Sequence, residues 1–174
     1  MPRVQLDTSV GKIVIELFEN EAPNTVANFI TLTESGYYDG TKFHRVISEF
    51  MVQGGDPNSK DEDELNDGKG GPGYTIKCES HQENARRHFR GSLSMAHAGR
   101  DSGGSQFFMT HLSTPHLDPP NPDAHTVFGR IIEGQQIVES IKKDDFIQKA
   151  TVVRKRSHEY KVEKTPEPEP LKLN

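Results

Sequence analysis

The sequence predicts an all-β protein whose sheet closes on itself, with two helices. Short stretches of alternating or continuous apolar residues recur along the chain, in the pattern of half-buried and buried strands. Only two windows carry a helical repeat. Many short strands with so few helices point to a closed sheet rather than a layered α/β fold. Periodicity alone leaves a barrel and a sandwich both open.

The elements follow in order. Val4 and Leu6 alternate with polar residues, as do Ile13, Ile15 and Leu17, with Ser9-Val10-Gly11-Lys12 between them, so a hairpin with one buried face is expected. Pro23 suits a first helical position, Val26, Phe29, Ile30 and Thr33 share a face, and Gly36 stops the run, which predicts a helix over 23–35. Two short strands follow at about 43–47 and 50–54. Residues 58–73 read as loop, with the acidic run Asp61-Glu62-Asp63-Glu64 and a glycine-rich end. That loop lacks both the Asp/Asn and Glu spacing of a calcium loop and the Gly-Lys-Ser/Thr end of a phosphate loop.

Further strands are expected at Tyr74-Thr75-Ile76, Leu93 to Ala96, Phe107 to Thr110, Val127 to Ile131 and Ala150 to Val153. Residues 79–90 are polar and read as a loop with a short helical turn. The four prolines between Ser113 and Ala124 exclude regular structure there. Ile137, Val138 and Ile141 predict a second helix over 135–143. Composition shifts after Arg154. The expected organisation is one domain over residues 1–156 and a charged, Pro/Glu-rich tail over 157–174, extended and mobile from 165 onward.

Composition excludes several function classes. The chain's 174 residues fit one domain. A net charge of -5 argues against general nucleic-acid binding, which needs basic surface to neutralise phosphates. No apolar run approaches the ~18 residues of a membrane span, and the first residues lack the basic-then-apolar pattern of a signal peptide. The single cysteine, Cys78, excludes an internal disulfide. Eight histidines invite a metal site, and His111 and His116 are only five apart. No His-Glu-x-x-His, cysteine pair or Gly-x-Ser-x-Gly occurs, which weighs against a metalloenzyme or hydrolase. A cytoplasmic monomer with no metal or cofactor is the expectation.

One stretch carries chemistry. Phe43-His44-Arg45-Val46-Ile47 and Phe50-Met51-Val52-Gln53-Gly54-Gly55-Asp56 set one permanent cation among large apolar groups, with an amide side chain eight positions on. That spacing suits neither a metal nor a nucleophile–base pair. It describes a pocket that grips an apolar group and offers donors to one carbonyl or nitrogen.

This stretch resembles the signature of the cyclophilin-type peptidyl-prolyl isomerases. Gly91-Ser92-Leu93-Ser94-Met95-Ala96, Gly104-Ser105-Gln106-Phe107-Phe108 and His125-Thr126-Val127-Phe128-Gly129 are similar to three further family motifs in the same order, and the likeness covers roughly residues 4–153. The resemblance implies a closed eight-stranded antiparallel barrel with a helix over each end. A barrel of that size is filled by its own side chains, so its site lies on an outer face.

The resemblance also implies residue roles. The family's catalytic arginine falls on Arg45. Phe50, Met51, Phe108 and Leu117 match its proline pocket, bordered by His125. Gln53 and Gln106 match groups that hold the peptide backbone and support the arginine, and His44, a substrate-binding candidate, adjoins Arg45 and supports the wall of the site. Gly68 belongs to the glycine-rich segment that lines the family's peptide groove. The implied partners are proline-containing peptides and unfolded or partly folded proteins. A binding module of the same fold, recognising prolyl peptides without turnover, is the alternative; the intact residue set weighs against it.

The chain departs from the family at two places. The family's Met-Ala-Asn-Ala segment, which binds peptide through its backbone, is here Met95-Ala96-His97-Ala98, so Ala96, His97 and Ala98 are kept as substrate-binding candidates. The tryptophan that often precedes Leu-Asp, and helps bind cyclosporin, is replaced by His116; the chain has no Trp. Catalysis is expected to survive this and cyclosporin binding to weaken.

Overall fold

A computed structural model describes residues 1–167 of the chain. Strands β1 (Arg3–Thr8) and β2 (Gly11–Leu17) form the expected hairpin, and its register sets Val4 opposite Ile15 and Leu6 opposite Ile13. All four are fully buried, which fixes that face inward, because a slip of one residue would expose the whole set. Six more strands complete the main sheet: β3 (Arg45–Ile47), β4 (Met51–Gly54), β6 (Ser92–Met95), β7 (Phe107–Thr110), β8 (Val127–Glu133) and β9 (Ile147–Arg154). Their spatial order is β3-β4-β7-β6-β8-β2-β1-β9, with antiparallel pairing throughout. A separate two-stranded ribbon joins β5 (Tyr74–Thr75) to β10 (Thr165–Pro166).

The expected closed barrel needs a correction. Edge strands β3 and β9 share no ladder. The seam is bridged just ahead of β3, where Lys42 faces Phe146, the Phe43 N–H donates to the Asp145 carbonyl at 2.7 Å and the Ile147 N–H donates to the Thr41 carbonyl at 2.9 Å. The three residues of β3 extend beyond that bridge, so the sheet curls round and remains partly open there.

Helix α1 (Pro23–Glu34) buries Val26, Phe29 and Ile30 completely. Phe29 meets Tyr38, Phe107 and Phe128 at ring-centroid distances of 5.1, 5.5 and 5.2 Å. Its N-cap position is Ala22, which has no capping side chain; the Glu79 carboxylate instead accepts from the Thr25 N–H at 2.7 Å and the Asn24 N–H at 3.3 Å. A carboxylate there satisfies free donors and suits the positive end of the helix. Helix α2 (Gln135–Ser140) is shorter than the window predicted for it and lies against β2.

The irregular stretches also differ in detail from expectation. Residues 79–90 hold turns but no helix. The proline-rich segment contains one 3-10 turn, Pro115–Leu117, and the acidic loop begins with another, Pro57–Lys60. The segment after residue 156 departs most. Up to Pro166 it is strapped along the domain: Tyr160 and the His158 ring hydrogen-bond to Glu19, Asn24 exchanges two hydrogen bonds with Glu163 at 2.8 and 3.0 Å, and the Lys164 ammonium sits 4.4 Å from the centre of the Tyr74 ring. The apolar parts of Tyr160 and Val162 pack on the core. The expected mobile tail over 165–174 therefore begins inside a strand, and its residues 168–174 lie outside the described residues.

Candidate functional site

The β3–β4 hairpin explains the eight-residue spacing. Arg45 and Gln53 are antiparallel partners, Gln53 is in turn paired with Phe108 on β7, and Phe108 with Ser94 on β6. Directly opposed residues share a face of the sheet, so these four stand in one row across four strands. The alternate positions Val52, Phe107, Met109 and Leu93 belong to the core cluster. The row therefore lies on the outer face, and Met51, two positions from Gln53, joins it.

Arg45 is exposed, yet its side chain is held. Its Nη1 donates to Gln53 Oε1 at 3.3 Å, Gln53 Nε2 donates to Gln106 Oε1 at 3.0 Å, and Gln106 Nε2 donates to the Gly70 carbonyl at 3.0 Å. This chain of bonds fixes each amide's orientation. It ends on a loop anchored from below: buried Asp56 accepts from the Asn58 N–H at 2.8 Å and from the Gly68 N–H. Gly68 has φ +81, a conformation glycine adopts without steric cost, and a Cβ at Gly70 would lie 2.1 Å from an Asp56 oxygen. The glycines thus let the backbone reach the carboxylate and present the Gly70 carbonyl to Gln106.

Beside the guanidinium is a cavity of ≈ 300 Å³. Met51 and Phe108 supply buried apolar walls, Phe50 and Leu117 half-buried ones, and Arg45, Gln53, Ala96, His97 and His125 complete the lining. The His125 ring meets Phe108 edge-on at 5.4 Å and stacks on His97 at 3.9 Å with an interplanar angle of 6°. His125 Nδ1 donates to the Met95 carbonyl at 2.8 Å, leaving Nε2 free as an acceptor in the neutral ring. Burial, with further opposition from His97 and His88, pushes its pKa down to about 4, so the ring is uncharged at neutral pH.

A second cavity of ≈ 420 Å³ continues the first and shares Gln53, Ala96 and His97 with it. Gly68, Ala98 and Gln106 line this part. Other members of it went unread in the sequence, among them Tyr74 and Glu167, which the pairing of β5 with β10 brings together from far apart in the chain. His44 does not touch the apolar cavity. It lines a neighbouring hollow with Glu64 and Asp67, which shares Arg45 and Gln53 with the apolar cavity, and burial lowers its pKa. His116 lies outside both cavities, with its ring edge-on to Phe50 at 5.6 Å.

Behind Phe108 lies an arrangement that no spacing in the sequence announces. Asp118 Oδ1 accepts from His88 Nδ1 at 2.7 Å and from the His88 N–H at 3.0 Å, and Ser94 Oγ lies 2.8 Å from His88 Nε2. Burial lowers the His88 pKa, and the Ser94 hydroxyl also reaches the Thr126 carbonyl, to which it can donate at 3.1 Å. The order Ser-His-Asp matches a hydrolase triad, but Ser94 is 0% and His88 1% exposed, so no substrate reaches the hydroxyl. His88 instead lies parallel to Phe108 at 5.8 Å and 2°, backing the cavity wall. Among the described residues, no group of three or more His, Cys, Asp or Glu is arranged to hold a metal, and no helix is long and apolar enough to cross a membrane.

The fold and site define a class: an all-β protein with a curled antiparallel sheet, an outer-face groove, an arginine held by a chain of amides and an apolar notch beside it. The family model for cyclophilin-type peptidyl-prolyl cis-trans isomerases matches residues 3–165. A peptidyl-prolyl cis-trans isomerase of Helicobacter pylori is 48% identical over 145 residues, covering 82% of each chain. One from Synechococcus elongatus is 46% identical over 155 residues, 88% of this chain and 97% of that one. The crystal structure of a cyclophilin-type isomerase from Cryptosporidium parvum superposes with a TM-score of 0.73 at 31% identity, covering 89% of this chain and 99% of that one. A second crystal structure of that protein was determined in the presence of the dipeptide Ala-Pro. The chain belongs to the cyclophilin-type peptidyl-prolyl cis-trans isomerase family, and its activity class is isomerase.

Proposed function

We propose that the chain assists folding by rotating X-Pro bonds in unfolded and partly folded proteins, with the proline ring in the ≈ 300 Å³ cavity and Arg45 as the catalytic residue. The barrier to rotation, roughly 18–20 kcal/mol, comes from amide resonance. Two features of the groove act against it. An apolar cavity favours the less polar twisted amide over the planar forms. A guanidinium donor aimed at the prolyl nitrogen meets a lone pair that appears only when conjugation is lost, so the contact is stronger in the transition state than in the ground state.

The observation that carries the reading is the chain of hydrogen bonds from Arg45 through Gln53 and Gln106 to Gly70. It holds one fork of donors at the cavity rim before substrate arrives, so little reorganisation is left for the reaction. The backbone of Ala96, His97 and Ala98 supplies peptide contacts along the second cavity.

The test is a proline-limited refolding assay and a tetrapeptide exchange assay with Arg45→Ala alongside. Loss of one preorganised donor lowers kcat/KM by about 10²–10³. Arg45 is exposed and has one side-chain hydrogen bond among the described residues, so Tm stays within a few degrees. An unchanged rate would remove Arg45 from the mechanism.

A further inference from the structure

After residue 156 the chain crosses the outside of the domain and reaches the groove at Glu167. Tyr160 donates to Glu19 at 3.0 Å, and Asn24 holds Glu163 through bonds of 2.8 and 3.0 Å. Strand β10 then pairs with β5, Thr165 opposite Thr75 and Pro166 opposite Tyr74. The pairing is antiparallel, so the next residue, Glu167, lies beyond Tyr74 on the side of residues 71–73. Its carboxylate is found there: a Cβ on Gly71 would lie 3.6 Å from Glu167 Oε1, and Glu167 lines the ≈ 420 Å³ cavity beside Gly71 and Tyr74. The charge is felt at Ser105, another member of the lining, which accepts from the Tyr37 hydroxyl at 3.1 Å. The Tyr37 pKa is raised first by burial, against that hydrogen bond, and further by Asp56, Tyr74 and Glu167.

The rest of the lining leaves this charge standing. The other side chains there that ionise near neutral pH or carry a fixed charge are Lys69 and His97. Lys69 turns its ammonium to the Leu65 carbonyl at 2.7 Å, and Leu65 is not part of the cavity wall. His97 stacks flat on His125 at the end shared with the proline cavity. Pro72, Ala96 and Ala98 offer apolar wall. A lysine or arginine side chain suits such a space, because its methylene stem lies on apolar surface while its head stays wet. The two cavities meet at Gln53, Ala96 and His97. A peptide with its proline in the first therefore sends a nearby residue into the second.

We propose that Glu167 is a specificity-determining residue of the groove: it selects X-Pro peptides that place a lysine or arginine in the second cavity and disfavours those that place an acid there. The proposal rests on the reading of the groove as a prolyl-peptide site. The strap over residues 157–166 is then a functional part of the domain, since its anchors at Glu19, Asn24 and β5 carry this carboxylate to the groove wall. Glu167 is exposed, so the pairing is screened by salt and has the few-fold effect of a surface ion pair.

The experiment compares the full chain with its Glu167→Gln and Glu167→Lys variants on end-blocked alanine peptides that contain one proline. Lysine or glutamate is placed in turn at each of the two positions on either side of the proline. One readout is kcat/KM for cis–trans exchange; the other, independent of turnover, is the dissociation constant from titration followed by NMR of the Gln106 side-chain amide. At low salt the parent chain favours the lysine peptide at one of these positions, in KM rather than kcat. Glu167→Gln lowers the lysine-to-glutamate ratio there roughly two- to fivefold, Glu167→Lys lowers it further, and high salt brings the three proteins together. A ratio that is the same in all three proteins at every position would overturn the proposal and leave the isomerase reading intact. Binding that follows the charge at position 167 with no exchange on any peptide would sink the isomerase reading and keep the assignment of Glu167.

Discussion

The imidazoles of His97 and His125 stack 3.9 Å apart and within 6° of parallel, so that one ring shields the other at the mouth of the apolar cavity. His97 is held there by the Gly99 N–H, which donates to its Nδ1 at 3.1 Å. The stack has a consequence for pH. His125 has its pKa depressed to about 4, first by burial and then by its histidine neighbours. Between about pH 6.5 and 4 the unfolded chain binds a proton at this residue that the folded chain does not. The His125 contribution to stability is therefore fully present above about pH 6.5 and is lost as pH falls through that window. Activity is expected to be flat from pH 8 to 5, with an acid limb near 4. An NMR titration of the His125 ring checks this, and a midpoint near 6.5 would contradict it. His97→Ala uncovers the ring and moves the midpoint upward.

Gln53 is the joint between Arg45 and the rest of the hydrogen-bond chain. Gln53→Leu keeps the volume and removes both bonds. The guanidinium keeps its charge but loses its fixed orientation. The expected result is a fall in kcat/KM of about 10- to 10²-fold, in kcat more than in KM, because misplacement of a catalytic group is felt in the transition state. Loss confined to KM would reassign Gln53 to peptide binding alone.

Asp118 is predicted to matter for both stability and rate without touching substrate. Asp118→Ala leaves two buried donors, His88 Nδ1–H and the His88 N–H, without an acceptor. Buried unsatisfied donors cost about 1–3 kcal/mol each, so Tm falls by roughly 4–24 °C in a chain of this size. His88 then loses its fixed place against Phe108, and kcat/KM falls with it. Thermal unfolding and the exchange assay on Asp118→Ala and Asp118→Asn separate the two effects, because Asn keeps an acceptor oxygen. Equal Tm values for both variants and the parent chain would show that the pair is dispensable.

Arg45, Gln53 and Phe108 were legible through the family resemblance; the structure explains the eight-residue spacing, because the β3–β4 hairpin turns about Glu49 and sets Arg45 opposite Gln53. The helix at Pro23 was legible because Val26, Phe29 and Ile30 repeat at its period. Its cap was not, because Glu79 comes from a polar stretch some fifty-five positions away. The same limit hid Glu167 from view. A Pro-Glu alternation reads as solvated tail, and nothing local states that Thr165 and Pro166 will pair with Thr75 and Tyr74. Barrel closure was overread for a related reason: strand count is visible in a sequence, but whether two edge strands meet along their length depends on where each stops.

His116 supplies the last prediction. Its ring packs edge-on against Phe50 at 5.6 Å, on the rim outside the proline cavity. The family resemblance assigns this position to a tryptophan that contacts cyclosporin, and the exposed imidazole offers less apolar surface. The parent chain is therefore expected to turn over X-Pro peptides while binding cyclosporin weakly. His116→Trp enlarges the apolar rim without altering Arg45 or the cavity walls. An aromatic contact of that kind contributes about 0.5–1.5 kcal/mol, which corresponds to a gain of roughly two- to tenfold in affinity. Titration of both proteins with cyclosporin, read by inhibition of peptide exchange, checks the pair of statements. Tight inhibition of the parent chain would show that Phe50, Leu117 and the rest of the groove suffice, and that the residue at 116 does not set drug sensitivity in this protein.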